Sequence, residues 1–105
     1  MRMFNPPHPG RILKEALEHM PMTVTQFAAH IGVSRVTLSR VVNCRAGFTA
    51  EMSLKVSEAL GQGTSGIWFR MQNAHDLWQA EHVRKRKKVR PVKIKGQINQ
   101  FKKAA

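Results

Sequence analysis

The chain has 105 residues, with 18 Lys and Arg against 6 Asp and Glu, for a formal net charge of +12. That length allows one domain with one modest core. One cysteine, Cys44, excludes an internal disulfide and fits a reducing compartment, and no apolar run approaches the roughly 20 residues of a membrane span.

Residues 1–9 hold three prolines, Pro6, Pro7 and Pro9, and read as an extended lead-in. The N-terminus has no continuous apolar h-region, so no secretory signal is expected and the protein is expected to be soluble and intracellular. A first helix is expected over residues 10–19. Ile12, Leu13, Ala16 and Leu17 share one face, opposite Arg11, Lys14, Glu15 and Glu18. Pro21 closes it.

Thr23 and Gln26 have the T-x-x-Q spacing of a capping box, so the second helix starts at Val24. Gly32 ends it by taking a left-handed backbone conformation. Ser34 caps a third helix from Arg35 to Val42, and Asn43 is expected to end it in the left-handed region. Thr49 caps a fourth helix, with Glu51 in the first turn and Met52, Val56, Ala59 and Leu60 as the inner stripe. A fifth helix, over about residues 65–81, places Ile67, Met71, Ala74 and Trp78 on one stripe, widened by Trp68 and Leu77.

Residues 81–105 contain ten Lys and Arg and one Glu, so +9 of the +12 lies there. The expected organisation is a domain over residues 1–82 and a basic tail over residues 83–105. The tail has weak strand-like alternation around residues 89–98, but Pro91 and Gly96 argue against a central strand. A basic excess favours polyanions: DNA, RNA or an anionic membrane surface. A charge run is most often a solvated end; a phosphate-binding or protein-binding role is the alternative, and single-stranded RNA would call for an aromatic stacking platform that the chain lacks.

Helices of about eight residues are marginal in water and persist only when packing holds them. Phe27, Ala28, Ile31, Val33, Leu38 and Val41 supply that packing, and Gly32 with Val33 makes the sharp turn. This is the recipe of a helix-turn-helix over about residues 23–43, whose second helix enters the DNA major groove. With Leu38, Val41 and Val42 inward, Val36, Ser39, Arg40 and Asn43 point outward and Arg35 sits at the exposed tip. Arg suits guanine, Asn suits adenine, Ser suits either, and Val36 suits a thymine methyl. Arg35, Val36, Ser39, Arg40 and Asn43 are therefore the expected base readers. The backbone amides of Thr25 and Gln26, together with Ser34 and Arg45, are the expected phosphate holders. Ile12, Leu13, Phe27, Ile31, Leu38, Val41 and Val56 are the expected core.

Four stretches, "HPGRILKEAL", "VTQFAAHIGVSRVTLSRVVN", "FTAEMSLKVSEALG" and "IWFRMQNAHDLWQA", together resemble the HigA/VapI-type antitoxins within the Xre/Cro-like helix-turn-helix regulators. The match covers roughly residues 8–80. The early "HPG", the Trp68 to Gln72 segment and Asp76-Leu77-Trp78 are its more specific elements. The resemblance implies an all-α fold of five helices, of lambda-repressor-like type. It also implies an antitoxin that neutralises a HigB-like mRNA-cleaving toxin and represses its own operon as a homodimer on double-stranded operator DNA, in a bacterial cytoplasm at the nucleoid. A stand-alone regulator without a toxin, and a toxin-sequestering protein with little DNA binding, are the alternatives. The chain departs from the pattern in two places. Gly66 replaces a proline that usually leads the fifth helix, and Cys44 stands where a glycine is usual.

Nothing points to catalysis. His8, His19, His30, His75 and His82 are scattered with no H-E-x-x-H spacing, Cys44 has no second cysteine for a zinc motif, and no phosphate-binding glycine loop is present. No cofactor or metal is expected. The large apolar groups of the fifth helix either close the core or meet a partner, and Phe69, Leu77 and Trp78 are the expected dimer interface.

Overall fold

The computed structural model describes residues 5–83 and 87–93. It contains α1 (Pro9–Glu18), α2 (Val24–Ile31), α3 (Arg35–Val42), α4 (Ala50–Ala59) and α5 (Ile67–His82), with no strand among the described residues. None of these helices is long and apolar enough to cross a membrane. The alternation expected around residues 89–98 falls partly outside the described residues; residues 87–93 have no regular secondary structure.

Local signals set four of the five helix starts. His8 caps α1, its Nδ1 accepting from the Gly10 amide at 2.9 Å, and Pro9 fills the first helical position. Histidine is not a usual cap, and the sequence expectation of a start at residue 10 missed it. Thr23 and Gln26 form the reciprocal capping box at 3.1 and 2.9 Å. Gly32 takes φ 77° and ψ 34°, and the Val33 amide reaches back to the Ala28 carbonyl at 3.0 Å, the Schellman closure of α2. Ser34 caps α3 through the Thr37 amide, and Thr49 caps α4 through the Met52 amide.

One expectation is corrected. Asn43 does not end α3 in the left-handed region; it has φ −97°, and Cys44 takes that conformation at φ 62°. The Asn43 side chain instead turns back to donate to the Ser39 carbonyl at 2.9 Å, so its backbone stays near helical. The apolar groups of α5, expected either to close the core or to meet a partner, divide between the two. Its buried residues are Trp68 and Gln72, whereas Ile67 is 39% exposed, Ala74 is exposed, and Met71 and Trp78 are half-buried. The 3.6-residue apolar stripe is real, but it lies on a flank of the helix.

Polar bonds fix that rotation. Gly66 offers no side-chain cap. The start of α5 is held instead by Ser65 Oγ, which accepts from the Ile67 amide, and by the buried Ser53 Oγ of α4, which accepts from the Phe69 amide at 3.0 Å. The buried Ser57 hydroxyl of α4 donates to the Ser65 carbonyl at 2.8 Å. Trp68 stacks on Phe48 with ring centroids 5.4 Å apart, and its indole N–H donates to Gln62 Oε1. Gln72 Oε1 accepts from the buried Phe48 amide at 2.9 Å while its Nε2 donates to Asp76 Oδ1. A buried amide needs an acceptor, so a glutamine takes the inward position.

The core comprises Leu13 and Leu17 from α1, Phe27, Ala28 and Ile31 from α2, Leu38, Val41 and Val42 from α3, Met52 and Val56 from α4, with Phe48 and Trp68. Of the expected core residues, Ile12 is only half-buried, packed against the edge of this cluster. α1 and α2 pack on α3, and α4 packs on α5. α1 crosses α3 closely at Gly10, where a Cβ would collide with the Val41 carbonyl oxygen. This explains the glycine of "HPG": a side chain there would push α1 off the end of α3.

Candidate nucleic-acid interface

α3 is held by its inward residues. Leu38 is fully buried, and Val41 and Val42 are nearly so. At about 100° per residue, Arg35, Val36, Ser39, Arg40 and Asn43 then share an arc of about 140° on the opposite side. Arg35, Val36, Arg40 and Asn43 are exposed, Val36 by 68%, while Ser39 is half-buried. A valine left this bare on a short helix is not part of the fold's packing. The one ion pair among the described residues joins Lys55 and Glu51 on α4 at 3.5 Å. Arg35, Arg40 and Arg45 therefore face solvent without a carboxylate partner there, and cationic side chains so placed favour phosphates and guanine edges.

The hydrogen bonds refine the roles of the polar candidates. Asn43 Nδ2 donates to Ser39, to the carbonyl at 2.9 Å and to Oγ at 3.4 Å, so these two side chains act as a pair and Asn43 keeps its side-chain carbonyl oxygen outward. Gln26 does not offer its backbone amide, as expected from the sequence, because that amide is spent on Thr23 Oγ1; its Nε2 hydrogens remain. The first-turn amides of α2 without an intrahelical acceptor are those of Val24 and Thr25. Ser34 Oγ accepts from the Thr37 amide at 3.0 Å and donates to Thr37 Oγ1 at 2.8 Å, so its hydroxyl hydrogen is also taken. Thr37, exposed beside it, is left with the free hydroxyl hydrogen. Sequence reasoning passed over Thr37 because it falls outside the outward arc; only the bond from Ser34 reveals it.

Arg45 leaves the end of α3 in a tight turn, its amide reaching the Arg40 carbonyl at 2.7 Å. It lines a cleft of about 230 Å³ with His8, Cys44, Gly47, Gln72, His75 and Asp76. The cleft joins the lead-in, the loop after α3 and α5. His75 Nδ1 bonds the Pro6 carbonyl at 2.9 Å, and the His8 and His75 rings meet edge-on at 5.1 Å. Burial holds the His8 pKa below its ordinary value, helped by the nearby His75, with Asp76 opposing. A neutral His8 is what the cap requires, since a protonated ring could not accept from Gly10.

The expected dimer residues do not share one face. Around α5, Phe69 and Trp78 lie about 180° apart, and Leu77 points away from the core between them. Leu77 is 49% exposed, Phe69 is half-buried, and Trp78 is half-buried with its ring stacked on His82 at 4.4 Å. The apolar surface continuous with Trp78 runs through Met71, Ala74 and Ile67.

Residues 13–67 match the model of a helix-turn-helix family. The Vibrio cholerae antitoxin HigA-1 is 38% identical over 74 residues, spanning 70% of this chain and 69% of that protein. The Escherichia coli HTH-type transcriptional regulator YddM is 35% identical over 81 residues, or 77% and 85% of the two chains. Among solved structures, the Pseudomonas aeruginosa antitoxin HigA with the higBA promoter superposes with a TM-score of 0.66 at 26% identity, covering 71% of this chain and 82% of that one.

Proposed function

The chain belongs to the helix-turn-helix family that includes HigA antitoxins and Xre-type regulators, and we propose that it is an operator-binding antitoxin. α3 enters the major groove of double-stranded DNA. Arg35, Val36, Ser39, Arg40 and Asn43 read base edges. Thr25 through its backbone amide, Gln26 through its side-chain amide and Arg45 hold phosphates, with the Val24 amide beside them, and the Thr37 hydroxyl takes the place expected of Ser34, whose own hydroxyl is spent on Thr37. Two copies bind a palindromic operator, since two recognition helices about 34 Å apart read two half-sites. The observation that carries this reading is the split of α3 into a buried Leu38, Val41 and Val42 side and an exposed side whose Arg35 and Arg40 meet no carboxylate among the described residues.

The second copy docks against the apolar flank of α5 formed by Ile67, Met71, Ala74, Leu77 and Trp78. This surface replaces the set containing Phe69. By kinship with the Vibrio cholerae antitoxin, the protein partner is a HigB-like mRNA-cleaving toxin, and the protein represses the operon it shares with that toxin.

The test is binding to a duplex from upstream of its own gene against a scrambled duplex of equal length. The reading expects a preference of about 10³-fold or more. It also expects that co-expression rescues growth from the toxin encoded next to it. Equal binding to both duplexes would remove the operator reading. A neighbouring gene that encodes no toxin would leave a stand-alone regulator.

A further inference from the structure

We propose that residues 87–93, beyond α5, form a second DNA-binding element: a sequence-independent arm that neutralises backbone phosphates flanking the site read by α3. The proposal rests on the DNA-facing reading of α3 and adds a contact that no helix of the bundle makes.

Four of these seven residues are cationic, Lys87, Lys88, Arg90 and Lys93, and all seven are exposed. Val89 and Val92 are 86% and 73% exposed, so the segment does not pack on the helices. No Asp or Glu occurs after Glu81, which leaves the cations of this segment no nearby acid in the chain. A spacer needed only for solubility works as well with mixed charges. A run of one sign lowers its free energy by meeting a polyanion and releasing that polyanion's counterions.

Duplex DNA fits better than the other polyanions. Residues 87–93 contain no Phe, Trp or Tyr, and the one such residue after Trp78 is Phe101, which alone makes no stacking platform for single-stranded bases. A protein interface is usually anchored by a buried aromatic or Arg cluster at its centre; here two separated valines stand among cations. Pro91 lacks an amide hydrogen, which disfavours pairing of this segment with a sheet edge. The tether to α3 through α5 supplies the rest. Lys93 lies eleven residues beyond His82, a span of at most about 40 Å when extended, slightly more than one duplex turn of about 34 Å. A segment tied to a bound domain meets neighbouring phosphates at an effective concentration near millimolar.

The test is the full-length variant K87Q/K88Q/R90Q/K93Q. Affinity is measured by fluorescence anisotropy between about 50 and 200 mM salt, on the promoter duplex and on the scrambled duplex. The slope of log affinity against log salt should fall by about 0.9 for each phosphate that is no longer neutralised, up to about 3.6 for each bound copy. Both duplexes should weaken by the same factor, so their affinity ratio should not change. Thermal unfolding should be unaltered, because the four side chains are exposed. A slope equal to that of the wild type overturns the proposal. So does a loss confined to the promoter duplex, or a loss seen only with a single-stranded RNA probe. If the wild type shows no preference for its promoter but the slopes differ, the reading of α3 fails and the arm stands.

Discussion

Replacing Cys44 with glycine should stabilise the protein, although nothing is gained in packing. Cys44 is the one non-glycine residue with positive φ in the described chain, at 62°; the other three are Gly32, Gly61 and Gly63. Its side chain is exposed and makes no hydrogen bond among the described residues, so the thiol does not stabilise this conformation. A Cβ in the left-handed region crowds the following carbonyl and costs roughly 1–2 kcal/mol. Glycine removes that cost but gives the unfolded chain extra freedom, worth about 0.5–1 kcal/mol. The expected net gain is about 0.5–1 kcal/mol, which for a domain of this size raises the melting temperature by about 3–6 °C. The assay is thermal unfolding followed by far-UV circular dichroism under reducing conditions, with Cys44→Ala as the control. Alanine keeps the Cβ and should leave the melting temperature near that of the wild type. If Cys44→Gly melts at or below the wild-type temperature, the left-handed exit from α3 is not strained and the reasoning fails.

Gly10→Ala should act in the opposite sense and more strongly. Its Cβ meets the Val41 carbonyl, with the carbonyl carbon at 2.9 Å, and backbone there cannot move without separating α1 from α3; a loss of about 3 kcal/mol or more is expected from urea unfolding. Gln72→Leu preserves volume but strands the buried Phe48 amide, and urea unfolding should show a loss of about 1–3 kcal/mol. Acidification should weaken the fold through His8. Its folded pKa lies below the ordinary value near 6.5, so the unfolded chain takes up this proton first as pH falls. The stabilisation is complete above about pH 6.5 and is lost as pH drops toward the folded pKa. His75 and Asp76 face the same ring, so the check is the pH dependence of stability in His8→Asn, which keeps a capping side chain without a titrating ring; its profile should be flatter than that of the wild type.

The helix-turn-helix was legible because its determinants are local. Thr23, Gln26, Gly32 and Ser34 act within four residues of their own positions, and Leu38 and Val41 repeat at helical spacing. The face of α5 was not legible. Periodicity picks out Ile67, Met71, Ala74 and Trp78, but the orientation is decided by partners distant in sequence: Ser53 against the Phe69 amide, and Gln72 against the Phe48 amide, 24 residues away. The stripe lies on a flank, with Ile67 and Ala74 exposed and Met71 and Trp78 half-buried, and it becomes the candidate dimer face. The cap on α1 escaped for a different reason: histidine caps only when held neutral, and burial beside His75 is a tertiary property. At the candidate interface the residue types on α3 were readable. Which of their hydrogens remain free was not, because Ser34, Gln26 and Asn43 spend theirs on neighbours.

The direct test of the account compares Arg40→Ala and Arg45→Ala on the promoter duplex and on duplexes carrying single base-pair changes. Arg40→Ala should cost about 1–3 kcal/mol and relax discrimination at one base pair per half-site, whereas Arg45→Ala should weaken every duplex alike. Operator affinity and discrimination that survive Arg40→Ala intact would contradict the assignment of α3 as the reading helix.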